Sequence, residues 1–582
     1  MERRECDILI IGSGIAGMSA AIHASHLSKG KLRVCLVSKL HAMRSHSVSA
    51  EGGISGVLYG SENNDSPDMH AYDTVKGSDF LADQDAVEIL VKNAPKEIEF
   101  FDHIGVPWSR TGKGSISQRP FGGMTIPRTA FAADKTGFFM MRALYDELLS
   151  YGNVEILHEH YVTSMLVKRG KFICAYAVNL ADRSGKVLSA KSCIIATGGY
   201  GRIFNFTTTA HSSTGDGVAL AYNSGLPLKD MEFIQFHPTA LVPTGVLITE
   251  AARGEGGYLL NAKGERFMER YAKSKMELAP RDIVSRSIIT EIQAGRGILH
   301  EESGLSHVLL DLRHLDPEVI DEKLPMVKEL TMKNINVDPH NEPIPVRPGA
   351  HYTMGGIHVD VHGRVFLDEK RSVAGLWSAG ESACVSVHGA NRLGSNSLSE
   401  CAVWGRITGT EAARHAMSAG QNSALDAKSI GDFYGEEDEK IYELLNGSGS
   451  VNPYKLRDEM HGIMEKYMYV YRKVGGMKEA KKRLAKLYSM SKSICVEDKS
   501  TVYNTNLRDA LEIKSLIALA YVATSCALER KESRGAHAVV EHSERDDRKW
   551  LKHTIAVKRG DSVGMYYSQV SITKWKPEKR VY

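Results

Sequence analysis

The stretch DILIIGSGIAGMSAAIHASHLSKGKLRVCLV, residues 7–37, reads as strand, glycine turn, helix and second strand. Asp7 to Ile11 is almost wholly apolar, as a strand covered on both faces requires. Gly12-Ser13-Gly14-Ile15-Ala16-Gly17 follows, then an Ala-rich helical pattern from Met18 to Leu27 and a second apolar run from Leu32 to Val37. The unit spans roughly 30 residues, the size of a parallel strand pair with its crossover helix. Gly12 is placed for the tight turn, Gly14 for close backbone approach to a pyrophosphate, and Gly17 for packing of helix on strand. The phosphate charge would lie at the helix N-terminus. A lone GxGxxG is a weak signal and can be a structural turn. Between a strand and a helix it points to dinucleotide binding. The second strand ends Val37-Ser38-Lys39, without the acidic residue that usually holds an adenosine ribose, and no further GxGxxG follows a strand. One nucleotide, with no nicotinamide domain, is the reading.

Working outward, the apolar run from Cys193 through Thr197, Gly198 and Gly199 predicts another strand of the same sheet, ending near the nucleotide. The α/β pattern lapses from about His237 to His351 and returns with GLWSAGE (375–381). A Gly/Asn-rich turn, His388 to Leu398, then opens a helix ending near Ala416. This order predicts a discontinuous nucleotide domain with a second domain inserted. The remainder is mostly helical, with Gly447-Ser448-Gly449-Ser450 as a turn or linker. Met460, Met464 and Met468 recur every four residues there, as a packed helix stripe rather than a metal–sulfur site.

At 582 residues, with 42% hydrophobic and 25% charged, the chain exceeds one ordinary domain and is not disordered as a whole. Its 73 Lys+Arg against 70 Asp+Glu leave +3, far from the positive field of a nucleic-acid binder. The longest apolar stretch, around Leu516 to Leu528, reads as too short to span a bilayer. Eight cysteines form no CxxC, CxxCH or iron–sulfur spacing, so neither thiolate-held haem nor a cluster nor another metal is expected, and reduced cytosolic thiols are. Arg3-Arg4 is followed by no apolar h-region, which makes a cytoplasmic location the expectation.

Further motifs fall in a fixed order: MRSHSVSAEGGI (43–54), HAYDTVKGSDFLADQDA (70–86), QRPFGGM (118–124), FAADKTGF (131–138), TGDG (214–217) and QFHPT (235–239). TEAARGEGG (249–257), APRD (279–282), AHYTMGGI (350–357), HGANRLGSNSL (388–398), SRGAH (533–537) and WLKHT (550–554) complete the series. Together they closely resemble the flavoprotein subunits of the succinate dehydrogenase/fumarate reductase family, over essentially the whole chain. The resemblance implies an α/β FAD-binding Rossmann-like domain of glutathione-reductase type at 1–236 and 352–417. An α+β capping domain at 237–351 would be inserted in it, followed by a helical domain at 418–535 and a C-terminal tail domain at 536–582. FAD would be bound covalently through His46; a loop histidine beside a non-covalent flavin is the alternative. Gly12 to Gly17, Ser38, Lys39, Ser45, Ser47, Ala50, Glu51, Gly52, Gly53, Thr197 and Gly198 would lie along the cofactor, with Asp216 and Glu381 as polar anchors. Arg392, Ser395, Ser397 and Leu398 would present a helix N-terminus to the flavin pyrimidine edge, where a positive dipole stabilises the reduced form.

A four-carbon dicarboxylate must bury two negative charges beside the flavin, and guanidinium groups fork carboxylate oxygens while staying charged. By resemblance, Arg392 and His351 hold one carboxylate and the catalytic-set His237, with Thr249, the other. Phe121 would pack on the substrate and Arg281 approach the reacting carbon. A hydride would pass between flavin N5 and one carbon of succinate or fumarate while Arg281 carries the proton. Arginine ordinarily keeps its proton, so this step needs neighbouring cations and a prompt hand-off. Glu250 and Arg253 resemble that relay, on one face if their segment is helical; a plain salt bridge is the alternative.

Two departures stand out. Ala252 precedes the relay arginine where some relatives have Cys, so thiol-reagent inactivation is not expected there. Glu51 stands where many dehydrogenases have Gln, which leans toward the quinol:fumarate reductase branch. The resemblance further implies an iron–sulfur subunit docked on a cytochrome b or hydrophobic membrane anchor. Quinone would be reached only through those partners, and the chain held peripherally on the cytoplasmic face of the membrane. L-Aspartate oxidase shares several motifs but holds FAD non-covalently, against RSHSVSAEGG. Soluble periplasmic fumarate reductases need haem motifs or an export signal. A decayed electron-transfer or assembly module would lack a charged catalytic position, yet His237, Glu250, Arg253, Arg281, His351 and Arg392 are all present.

Overall fold

The computed structural model describes residues 2–419, 424–447 and 449–581, so Ser448 of the expected linker lies outside the described residues. Strand Glu2–Ile11 pairs in parallel with Val34–Val37 on one side and Gly185–Ile195 on the other. Val154–Leu157 and Ser372–Ser378 extend the parallel arrangement at either flank. Lys171–Asn179, His160–Lys168 and Arg364–Phe366 complete a mixed sheet of eight strands. Ile8, Leu9 and Ile10 are all wholly buried, so both faces of this strand are covered, as the unbroken apolar run predicts. Burial of each stabilises the fold by about 1.5–3 kcal/mol. Helix Ile15–Ser28 follows the glycine turn and packs beside the long helix Asn396–Ser418.

Register decides where a ligand can sit. Ile11 stands level with Val37 and Ile195, and Ile195 with Ser378. The turns after these strands therefore gather at the carboxyl edge of the sheet, where open α/β folds bind ligands.

Strands Ile234–Leu241, Ile344–Thr353, Leu305–Asp311, Tyr258–Leu260 and Ile298–His300 form a second, antiparallel sheet of five strands. Helix Arg281–Glu291 packs on it, over a separate cluster that includes Leu241, Phe267, Leu310 and Val346. A third sheet, also of five strands, joins Leu228–Lys229, Gly356–His358 and Ala383–Cys384 to the hairpin Lys552–Arg559/Ser562–Gln569, so the tail is stitched to mid-chain strands.

Between these lie helices Ala424–Asn446, Pro453–Tyr467, Val474–Met490 and Thr505–Glu529. Met460, Met464 and Met468 are buried, in keeping with a packed stripe. The sequence expectation for Leu516 to Leu528 needs correction. The helix that contains it, Thr505–Glu529, has 25 residues and is long and apolar enough to cross a membrane. Within the fold 72% of its most apolar window is buried, which marks it as a core helix. Counting only the uninterrupted apolar residues had left out its flanking turns.

Candidate functional site

The turns at the carboxyl edge line one cavity of about 1610 Å³, counting its opening to solvent. Gly12 adopts φ +109°, and a Cβ there would lie 2.2 Å from the Ala196 carbonyl oxygen. Gly17 is off the cavity wall, pressed onto the Gly12 carbonyl, where a Cβ would come within 1.9 Å. Helix Ile15–Ser28 starts after Gly14 with no capping side chain, and a Cβ on Gly14 would crowd Ser45 and Ser47 Oγ at 3.0 and 3.1 Å. A helix N-terminus beside an open glycine cradle fits a phosphate group. Gly12→Ala is expected to lose most of its flavin, read as visible absorbance per protein; full flavin loading would contradict this account of the turn.

Ser13 Oγ and Ser38 Oγ share a hydrogen bond of 2.8 Å across the first two turns. Lys39 Nζ donates to Thr214 Oγ1 (2.8 Å), Asp216 (2.7 Å) and Glu512 (2.6 Å). Burial alone would lower the Lys39 pKa, but the two carboxylates raise it, so the ammonium is fixed in place. Asp216 also accepts from Tyr161 Oη at 2.9 Å. Glu381 accepts from the Thr353 N–H at 2.8 Å, and burial lifts its pKa to about 7. His46 sits at the start of a short 3₁₀ turn, and its Nδ1 accepts from the Ala210 N–H at 3.2 Å. Burial lowers its pKa to about 4, so the ring is neutral at pH 7.

Further along the same cavity lie Phe121, His237, Thr249, Glu250, Arg281, His351 and Arg392. Arg281 opens helix Arg281–Glu291; its Nε donates to Glu250 Oε2 (2.7 Å) and its Nη1 to Gln235 Oε1 (3.1 Å). Glu250 directly precedes the short helix Ala251–Gly254, accepts from the Gly122 N–H at 2.6 Å and pairs with Arg253 at 3.7 Å. Burial pushes the Glu250 carboxyl up, but Arg281 and Arg253 overcome it and hold the pKa at about 2. Arg253 does not line the cavity; it stands behind Glu250 and donates to the Glu277 carbonyl.

Arg392 behaves differently. Its Nη1 donates to Ser397 Oγ at 3.1 Å, its plane lies 4.5 Å from the Tyr352 ring centroid, and its buried Nε has no partner. Burial, then Arg281, lowers its pKa to about 9, which still leaves it charged at pH 7. The His237 and His351 rings lie 4.9 Å apart, tilted by 57°, and burial followed by the nearby arginines drives both pKa values well below 6.5. Ser395 Oγ, at the uncapped start of helix Asn396–Ser418, is also buried without a partner. A buried cation and unmet donors around an open space are an incomplete site that an anionic ligand completes.

Every residue that the sequence assigned to the cofactor or substrate lines this cavity except Gly17, and of the proton-relay residues only Arg253 does not. Sequence reasoning passed over four residues that hold the site, of which Tyr161 lines the cavity and the others support its wall. Gln235 holds Arg281 and also donates to the Arg392 carbonyl at 2.8 Å, tying the two arginines together. It stands two residues before His237, a spacing that could have flagged it. Arg119 donates to the Glu51 and Gly52 carbonyls and stacks 4.2 Å from the Phe131 ring centroid. Tyr161 and Glu512 come from remote elements and left no local signal.

A single-nucleotide α/β fold whose cavity continues into a cluster of arginines and neutral histidines defines a flavin-dependent oxidoreductase. Residues 7–398 match the FAD binding domain model, and residues 457–582 match the fumarate reductase flavoprotein C-terminal model. A succinate dehydrogenase flavoprotein subunit of Rickettsia bellii is 42% identical, covering 99% of this chain and 98% of that protein. A fumarate reductase flavoprotein subunit of Mycobacterium tuberculosis is 42% identical over 99% of both chains. The solved FrdA chain of E. coli quinol fumarate reductase superposes with TM-score 0.95 at 39% identity, covering 100% of this chain and 99% of that one. The chain belongs to the succinate dehydrogenase/fumarate reductase flavoprotein family. It binds FAD and is an oxidoreductase acting on a CH–CH group.

Proposed function

We propose that this chain interconverts fumarate and succinate as the flavoprotein subunit of a membrane-associated, quinone-linked complex. The observation that carries the reading is Arg392, a buried cation with an unpartnered Nε beside the Arg281–Glu250 pair. FAD, when bound, supplies the hydride donor or acceptor. Arg392 and His351 hold one carboxylate of the substrate; His237 and Thr249 hold the other, with Phe121 packed on the carbon chain. Arg281 carries the proton to or from the neighbouring carbon. Glu250, ionised at rest beside it, takes that proton in passing and hands it to Arg253 behind, which gives up one of its own; for fumarate reduction the transfers run in reverse. Water is excluded because His237, Thr249, Glu250 and Arg281 are all buried.

His46 is the attachment point. An imidazole alkylated at Nε2 keeps Nδ1 as an acceptor, which suits the Ala210 N–H. Acid-precipitated wild-type protein is therefore expected to retain flavin fluorescence, and His46→Ser to release it. Retention in His46→Ser would move the linkage elsewhere.

We read the chain as a discontinuous FAD domain (1–236, 352–417), a capping domain (237–351), a helical domain (418–535) and a tail (536–582). The separate hydrophobic cluster around Leu310 and Val346 supports the second of these. Family membership supports an iron–sulfur subunit and a membrane anchor as partners, and a peripheral place on the cytoplasmic face. Reduction is the favoured direction. That lean rests on Glu51, where many dehydrogenases have Gln; burial, then Asp134, raises its carboxyl well above its ordinary pKa. Isolating the complex from its membranes, and measuring fumarate reduction and succinate oxidation on it, tests both partners and direction.

A further inference from the structure

Among the described residues none beyond Cys401 lines the cavity, yet segment 570–581 reaches the helix that carries Arg281. The Ser571 N–H donates to Asp83 at 2.7 Å. Gln84 Oε1 accepts from the successive N–H groups of Thr573, Lys574 and Trp575 at 3.1, 2.8 and 3.0 Å. The Gln84 amide donates back to the Trp575 carbonyl at 2.6 Å, and Glu578 accepts from the Tyr72 hydroxyl. The strap then delivers Arg580, whose Nη2 lies 2.7 Å from Asp282 and 3.0 Å from Asp79.

Asp282 is the residue after Arg281, in the first turn of the helix that Arg281 opens. Its side chain is 0% exposed, those of Asp79 and Arg580 only 8% and 9%. Asp282 also pairs with Arg286 at 2.9 Å, and Arg286 reaches the Gly535 carbonyl at 2.6 Å. Asp79 pairs with Arg545 at 2.7 Å and accepts from the Gly535 N–H at 2.9 Å. Next to it, the Ala536 N–H donates to the Ala390 carbonyl at 2.8 Å, in the turn that carries Arg392. The SRGAH motif thus sits between the two arginine-bearing elements. Arg580 is the cation that bridges the two buried carboxylates.

We propose that Arg580 is a positioning residue for the reaction. By joining Asp282 to Asp79 it fixes the first turn of the Arg281 helix, and so holds the Arg281 guanidinium against Glu250 and Gln235. Without it, two buried carboxylates of like charge face each other, and among the described residues Arg286 is the cation left on Asp282. That helix start then shifts, and misplacement of a proton carrier by about 1 Å can cost on the order of a hundredfold in rate. The carboxylate-holding groups His237, His351 and Thr249 lie on other elements, and the Arg392 turn keeps Arg545 on Asp79, the Gln235 amide and Ser397, so these groups keep their places.

The inference rests on the proposed role of Arg281, so the test includes Arg281→Gln beside Arg580→Gln and Arg580→Lys. Flavin-loaded full-length protein is assayed for fumarate reduction by a reduced viologen dye, with rates expressed per bound flavin. Arg580→Gln is expected to lower kcat roughly ten- to a hundredfold while KM for fumarate stays within about twofold. Arg580→Lys, which keeps the charge but not the fork, is expected to recover part of that loss. A wild-type kcat per flavin in Arg580→Gln would overturn the proposal, as would a loss in which kcat and KM change together and Lys restores nothing. If Arg580→Gln does not accumulate as folded protein, kcat per flavin in Arg580→Lys decides: a partial loss at unchanged KM supports the role and a wild-type value overturns it. Wild-type-like turnover in Arg281→Gln would instead sink the Arg281 assignment itself.

Discussion

Arg281→Gln is expected to lower turnover by roughly 10³- to 10⁴-fold while the protein stays folded and keeps its flavin, since a general acid contributes up to about 10⁴-fold and its cation adds electrostatic stabilisation. Gln preserves a donor toward Glu250, so the substitution removes the transferable proton and the charge but not the local hydrogen bond. Glu250 cannot take over, because its pKa of about 2 leaves it with no proton to donate at neutral pH. His237 cannot either, since burial and then Arg281 hold its pKa well below 6.5. The geometry leaves one proton carrier in contact with both the relay and the cavity. Single-turnover mixing of reduced enzyme with fumarate checks this directly. A rate above about a tenth of wild type would remove Arg281 from the role, because no loss so small fits a lost general acid.

Arg392→Met is expected to cut kcat/KM by roughly 10²- to 10⁴-fold, the scale of removing a charge-assisted fork from a buried carboxylate. Its effect on stability should run opposite to the usual rule. Breaking a buried ion pair is costly, but among the described residues the buried Nε of Arg392 has no partner and its side-chain hydrogen bond goes to Ser397. Replacing it by an apolar side chain of similar length should leave the melting temperature of the substrate-free protein unchanged or raise it. By the same argument Arg281→Met should destabilise, because it takes the nearest cation from buried Glu250 and leaves it the Gly122 N–H and the more distant Arg253. Steady-state kinetics and thermal melts on the two variants give the contrast, and a marked loss of stability in Arg392→Met would mean that the guanidinium has a structural partner.

The sequence carried the nucleotide half of the site through local geometry. The strand–glycine–helix unit needs only neighbouring residues to form, and Gly12, Gly14 and Gly17 sit where the turn, the cradle and the packing require them. The dicarboxylate half was legible only through the ordered motifs. Glu250 and Arg253 did share a face, as their spacing foretold, but nothing local set Arg253 behind the cavity wall rather than on it. Lys39 was expected along the cofactor and does line the cavity, yet its partner Glu512 lies 473 positions away on a core helix. Contacts of that kind arise from packing of whole elements, which no local period records. The same holds for Arg580, whose two partners come from the other end of the chain and its middle.

The most direct test is anaerobic mixing of the oxidised, flavin-loaded protein with succinate, followed by flavin absorbance. The account predicts that succinate bleaches the flavin and that fumarate added afterwards restores the colour, with Arg281→Gln bleaching at least about a thousandfold more slowly. A wild-type flavin that dithionite bleaches but succinate leaves untouched would contradict it.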